Sequence, residues 1–125
     1  MAIKKIKDCE LLPVITVKLT DNAVSVAKKL HDFQERRIFV VDEKKAPVGI
    51  ISIVDINDRV VARGKDPKKV KAKDIMTYPI MLVADINDSA EELLKKMIRN
   101  DNYYIPVTVK GVLKGLITYA SIVQK

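Results

Sequence analysis

The chain is written twice. The run Lys7-Asp8-Cys9-Glu10-Leu11-Leu12-Pro13-Val14-Ile15-Thr16-Val17 returns as Lys73-Asp74-Ile75-Met76-Thr77-Tyr78-Pro79-Ile80-Met81-Leu82-Val83, with the Lys-Asp pair, the proline and the last valine at matching places. Further on, Ala23, Val26, Ala27 and Leu30 make an i, i+3, i+4, i+7 stripe that predicts a helix. Ala90, Leu93, Leu94 and Met97 repeat it. A fold built on this pattern must accommodate two copies of one supersecondary unit. A copy of about 60 residues buries little apolar surface by itself, so the two are expected to share a core.

After each stripe come two short β-rich runs. These are Ile38-Phe39-Val40-Val41 and Val48-Gly49-Ile50-Ile51 in the first copy, then Ile105-Pro106-Val107-Thr108-Val109 and Leu113-Lys114-Gly115-Leu116-Ile117 in the second. The polar turn from Asp42 to Pro47 and the Lys110-Gly111 pair mark both as hairpins. A second helical segment follows, Val54 to Arg63 closed by Gly64, and a shorter one from Tyr119 to Lys125. Asp88 followed by Glu91 suggests a capping box opening the helix of the second copy. The expected architecture is α+β: two pseudo-symmetric β-α-β-β-α repeats over residues 7–64 and 73–125, packed sheet to sheet, with a basic linker at 65–72.

Composition narrows the functions available. Of 125 residues 48% are hydrophobic and 31% charged, which fits a globular chain. No apolar run approaches the ~18 residues of a membrane span, and the basic start Met1-Ala2-Ile3-Lys4-Lys5-Ile6-Lys7 leads into no signal-peptide segment. The expectation is a cytoplasmic protein with no membrane association. Cys9 and His31 are single residues of their kinds. They cannot build a Cys/His zinc site, so no metal is expected. The net charge of +7 favours anionic partners without choosing among them.

The string Val48-Gly49-Ile50-Ile51-Ser52-Ile53-Val54-Asp55-Ile56 resembles the signature of CBS domains (cystathionine-beta-synthase type): glycine, two apolar residues, Ser or Thr, two residues, Asp. Gly115-Leu116-Ile117-Thr118-Tyr119-Ala120-Ser121-Ile122 resembles it too, with serine where aspartate is expected. Ile38-Phe39-Val40-Val41-Asp42 and Ile105-Pro106-Val107 are similar to the Leu-Pro-Val-Val-Asp strand of that family, and Asp74-Ile75-Met76-Thr77 to its opening segment. The resemblance covers nearly the whole chain. It implies a regulatory CBS pair, not an enzyme, that binds AMP, ADP, ATP or S-adenosylmethionine in the cleft between its repeats and uses no catalytic cofactor.

The residues themselves offer chemistry that such a site would need. Ser52 falls where a strand turns into a helix, beside free backbone N–H groups that attract phosphate. Asp55, one turn later, can accept both hydroxyls of a ribose. Arg36 and Arg37 are candidates for the remaining phosphate charge. The resemblance implies an apolar adenine slot lined by Ile50, Ile80 and Met81. Ser52-x-x-Asp55 equally fits a plain capping box that binds nothing. A weaker second site would comprise Thr118, Ser121, Tyr104, Leu116 and Ile15. There Ser121 lacks a carboxylate, and Tyr103 and Tyr104 stand where the first copy has arginines.

Three alternatives stand beside this reading: a ligand-free module that works through contact with another protein, a nucleic-acid-binding module using the basic surface, and an enzyme. Arg63 to Lys73 holds six basic residues and one acidic residue. It offers no aromatic for base stacking, so nucleic acid is not the expected partner. For an enzyme, the sequence offers no phosphate-binding loop and no activated nucleophile. A homodimer is expected, through apolar helix faces around Leu30, Phe33, Met97 and Ile98. The protein it regulates is not named by the sequence.

Overall fold

Each repeat lays down a strand, a helix, a hairpin and a second helix. In the computed structural model, which describes residues 4–123, the first contains β1 (Thr16–Lys18), α1 (Ala23–Phe33), β2 (Arg37–Val41), β3 (Pro47–Ser52) and α2 (Ile53–Ile56). A short helix α3 (Ala72–Ile75) precedes β4 (Ala84–Asp85), α4 (Ala90–Asn100), β5 (Tyr104–Val109), β6 (Val112–Thr118) and α5 (Tyr119–Val123). The α+β expectation holds: there are two three-stranded sheets, ordered β1-β2-β3 and β4-β5-β6. In each, the first pair is parallel and the hairpin antiparallel. The expected continuation of the last helix to Lys125 lies outside the described residues.

The long helices start and stop by the same devices. Asn22 caps α1 by accepting the Ser25 N–H at 2.9 Å, and Ser89 caps α4 by accepting the Glu92 N–H at 3.2 Å. The cap of α4 is therefore one residue later than the expected Asp88. Asp88 instead accepts the Asp85 N–H at 2.9 Å and closes the preceding turn, which leaves the helix start to Ser89. Both helices end on a left-handed residue, Gln34 (φ 56°) and Asp101 (φ 48°), whose N–H turns back onto the last carbonyls. The second hairpin turns on Lys110 (φ 52°) and Gly111 (φ 82°), the paired positive φ values of a two-residue turn matched to strand twist.

Strand alternation separates two faces. Ile38, Val40 and Ile51 point to one side of the first sheet and are buried with Val17 and the α1 residues Ala23, Val26 and Leu30. Ile105, Val107 and Ile117 do the same beneath α4, with Ala90, Leu93 and Met97. Leu30 and Met97 are thus core residues and cannot offer docking surface. Of the four side chains expected on apolar helix faces, only Phe33 and Ile98 are exposed.

The compact units do not follow the repeats. One spans residues 15–81; the other joins the N-terminal segment through Val14 to the stretch from Leu82 onward. The cause is a reciprocal exchange of opening segments. Ala72 donates to the Asp21 carbonyl (2.7 Å), Lys73 to Leu19 (3.1 Å), and Ala23 to Val70 (2.8 Å). Ile6 likewise donates to Asp88 (3.0 Å), Lys7 to Ile86 (2.9 Å), and Ala90 to Lys4 (2.9 Å). Each repeat's opening segment lies along the strand-to-helix turn of the other repeat.

A candidate ligand site at the end of the first hairpin

Two residues directly opposed in an antiparallel pair share a face, and this decides which candidate residues meet. Arg37 opposes Ser52 and Phe39 opposes Ile50. Arg37, Ile50 and Ser52 therefore lie together on the face of the first sheet away from α1. Arg36 does not join them. It precedes the strand and lines a groove of about 550 Å3 with Leu30, Gln34, Ile53 and Ile56, while its carbonyl accepts the Ile53 N–H at 3.1 Å.

Ser52 is the N-cap of α2, and its partner is Asp55. The Ser52 hydroxyl accepts the Asp55 N–H at 3.2 Å, and Asp55 Oδ2 accepts the Ser52 N–H at 2.9 Å. The capping box is therefore formed, a device worth about 1 kcal/mol. It does not exhaust the carboxylate, since Oδ1 takes no part in the box and faces an arginine 3.7 Å away. The Asp55 side chain is 16% exposed, so it is reachable and yet shielded enough for its charge to count.

That arginine, Arg59, was missed by sequence reasoning. It lies one turn beyond Asp55, where α2 widens into a π turn over Asn57–Val61 marked by the Ala62 N–H donating to Asn57 at 2.8 Å. Its Nη2 is the group near Asp55 Oδ1, and its Nη1 donates to the Ile75 carbonyl at 2.8 Å. The i,i+4 spacing from Asp55 was the available signal. The tie to Ile75 spans the linker and had none.

The segment after Ile75 then runs along the edge of β3. Ile50 and Thr77 exchange both backbone hydrogen bonds, at 3.0 and 2.8 Å. Met76 packs on the core side against Gly49. Ile80, half-buried, and Met81, 67% exposed, follow a few residues on. All seven candidate residues of the first site thus belong to one compact unit, although two come from the second repeat.

The second site is built alike but with different chemistry. Tyr104 opposes Thr118. Ser121 Oγ lies 3.4 Å from the Thr118 N–H and 3.1 Å from the Thr118 hydroxyl, and the Ser121 N–H donates to that hydroxyl at 3.3 Å. The box closes through two hydroxyls, with no carboxylate. Tyr103 meets Tyr119 edge to face at 5.8 Å. Desolvation, helped by the Asp101 carboxylate, pushes the Tyr103 phenol above its ordinary value. Leu116 exchanges backbone hydrogen bonds with Leu12 at 2.8 and 3.0 Å. Ile15 packs against the core of the first-sheet unit. Partial burial also pushes the Cys9 thiol up, against the opposing charge of Lys4.

The sequence matches the CBS domain family over residues 6–62 and 72–125, and the chain belongs to that family. It is 34% identical over 115 residues to an uncharacterised protein of Methanopyrus kandleri, covering 89% of this chain and 57% of that one. It is 28% identical over 126 residues to an uncharacterised protein of Methanocaldococcus jannaschii, covering 89% and 29%. The chain thus spans about half or less of the curated relatives it matches. Among solved structures it is similar to Hypoxic Response Protein I (TM-score 0.80, 22% identity, 96% of this chain and 97% of that one), which coordinates two zinc ions. It is also similar to the CBS domain of a membrane protein from Sphaerobacter thermophilus (TM-score 0.74, 26% identity, 96% and 86%). A third similar structure is that of the CBS domains of a transcriptional regulator from Streptococcus pneumoniae (TM-score 0.77, 17% identity, 99% and 100%). The fold is that of a CBS pair. Among the described residues no group of three or more His, Cys, Asp and Glu is placed to hold a metal ion. No helix among the described residues is long and apolar enough to cross a membrane.

Proposed function

We propose that this CBS pair is a non-catalytic sensor that binds an adenosine-containing ligand at Ile50, Ser52, Asp55 and Arg37, with Ile80 and Met81 bordering the base. The observation that carries the reading is the Asp55 carboxylate. One oxygen is held by the Ser52 N–H at 2.9 Å, and the other, Oδ1, is left with lone pairs for a ribose diol. Arg37 on the same face supplies a cation for the phosphate. Ser52 and Asp55 are engaged as hydrogen-bond acceptors, which supports recognition over proton transfer or nucleophilic attack. AMP, ADP, ATP and S-adenosylmethionine all present the diol that this site would take.

The second site is read as incompetent, because two hydroxyls cannot replace a carboxylate that accepts two charge-assisted bonds. We also read the working form as a homodimer joined through exposed apolar side chains such as Phe33 and Ile98. Calorimetric titration with the four ligands tests the main reading. Saturable binding of at least one, at one equivalent per chain, is expected; flat titrations with all four would overturn it.

A further inference from the structure

We propose that Arg59 is a positioning residue of this site, holding the Asp55 carboxylate in the orientation that distinguishes a ribose diol from a deoxyribose. The inference rests on the ligand reading above and deepens it. The two Asp55 oxygens have different neighbours: Oδ2 accepts the Ser52 N–H at 2.9 Å, while Oδ1 faces the Arg59 guanidinium at 3.7 Å, an ion-pair distance that leaves its lone pairs open to a ligand. A carboxylate anchored by one hydrogen bond still turns about its last bond; a cation beside the other oxygen disfavours that turn.

The guanidinium is itself fixed, because Nη1 donates to the Ile75 carbonyl at 2.8 Å while Nη2 faces Asp55. A planar fork serves the two partners from separate, fixed nitrogens, whereas a lysine ammonium directs its donors from a single atom. Ile75 directly precedes Met76 and Thr77, the residues that cover Gly49 and bridge Ile50. One side chain therefore registers the diol-reading carboxylate against the segment that carries Ile80 and Met81. The Arg59 side chain is 36% exposed, so solvent weakens the pair without dissolving it.

The test titrates wild type, Arg59→Lys and Arg59→Gln calorimetrically with adenosine, 2′-deoxyadenosine and AMP, and records melting temperatures alongside. Wild type is expected to favour adenosine over the deoxy ligand. Both variants should lose that preference by roughly tenfold, the scale of one misplaced hydrogen bond to a charged group, with the AMP-to-adenosine ratio unchanged. Arg59→Lys retains a donor for the Ile75 carbonyl, so it keeps the test open where Arg59→Gln fails to fold. A lower melting temperature with the ribose preference intact would reduce Arg59 to a structural tie and overturn the proposal. A collapse of the AMP-to-adenosine ratio alone would make Arg59 a phosphate contact and overturn it as well. Wild type that binds none of the three sinks the ligand reading and this inference together.

Discussion

Met76 lies across Gly49 so closely that a Cβ built on the glycine would meet Met76 Cγ at 2.9 Å. The signature glycine is thus explained by packing: the segment leaving α3 must approach the β3 backbone to form the Ile50–Thr77 bridge. Gly115 answers to the same cause with a looser fit, its nearest neighbours being Leu11 Cβ at 3.1 Å and the Leu12 carbonyl at 3.2 Å.

Gly49→Ala is accordingly expected to destabilise the protein by about 1–3 kcal/mol, the usual cost of overpacking a filled site. Adding Met76→Ala should recover part of that loss, since the two residues are in contact and their effects will not add. Urea denaturation of the two single variants and the double variant gives the coupling. Strict additivity would show that the glycine is needed for some other reason.

The lysines after Gly64 predict a salt-sensitive affinity and nothing more. Lys65, Lys68, Lys69, Lys71 and Lys73 are all exposed. Weak, sequence-blind binding of DNA or RNA is expected at low salt and none at roughly 150–200 mM, where a few phosphate contacts no longer suffice. Fluorescence anisotropy with a labelled oligonucleotide measures this. Tight binding that persists at the higher salt, and is lost when the lysines become alanine, would make nucleic acid the partner.

Association is expected to depend on Phe33, which is 57% exposed on α1. Sedimentation at tens of micromolar should show a species of twice 14.1 kDa. Phe33→Asp should return it to a monomer by charging the apolar face. A wild-type chain that sediments as a monomer ends the homodimer reading.

What was legible in the sequence was whatever repeats or alternates. The helix stripes marked their buried side correctly at Ala23, Val26 and Leu30 and at Ala90, Leu93 and Met97, because a 3.6-residue period is a property of one element. The same stripes misjudged Leu30 and Met97 as docking surface. Whether an apolar helix face meets its own sheet or a second molecule depends on packing that periodicity does not encode. Arg36 and Arg37 looked equivalent as neighbours, and only the pairing of Arg37 with Ser52 separates them. Arg59 stayed hidden because its second partner is the carbonyl of Ile75, and backbone carbonyls carry no sequence signal.

The asymmetry between the two boxes yields the most direct test of the site. Asp55→Ala removes the acceptor of the Ser52 N–H, so about 1 kcal/mol of stability should be lost whether or not any ligand binds. If Asp55 also holds a ribose diol, two hydrogen bonds to a charged group disappear, each worth about 1.5–3 kcal/mol. Water filling the gap offsets part of this, leaving roughly 2–3 kcal/mol, or a complex about 30- to 150-fold weaker. Ser121→Ala should leave ligand affinity unchanged, because that position offers only a hydroxyl 3.1 Å from the Thr118 hydroxyl. Ser121→Asp should raise the melting temperature by giving the Thr118 N–H a charged acceptor, now a hydroxyl at 3.4 Å, and should add a second, weaker binding event. Melting temperature and nucleotide titration on these three variants separate the two roles of the box. A ligand that binds Asp55→Ala as tightly as wild type would place the site elsewhere on the chain.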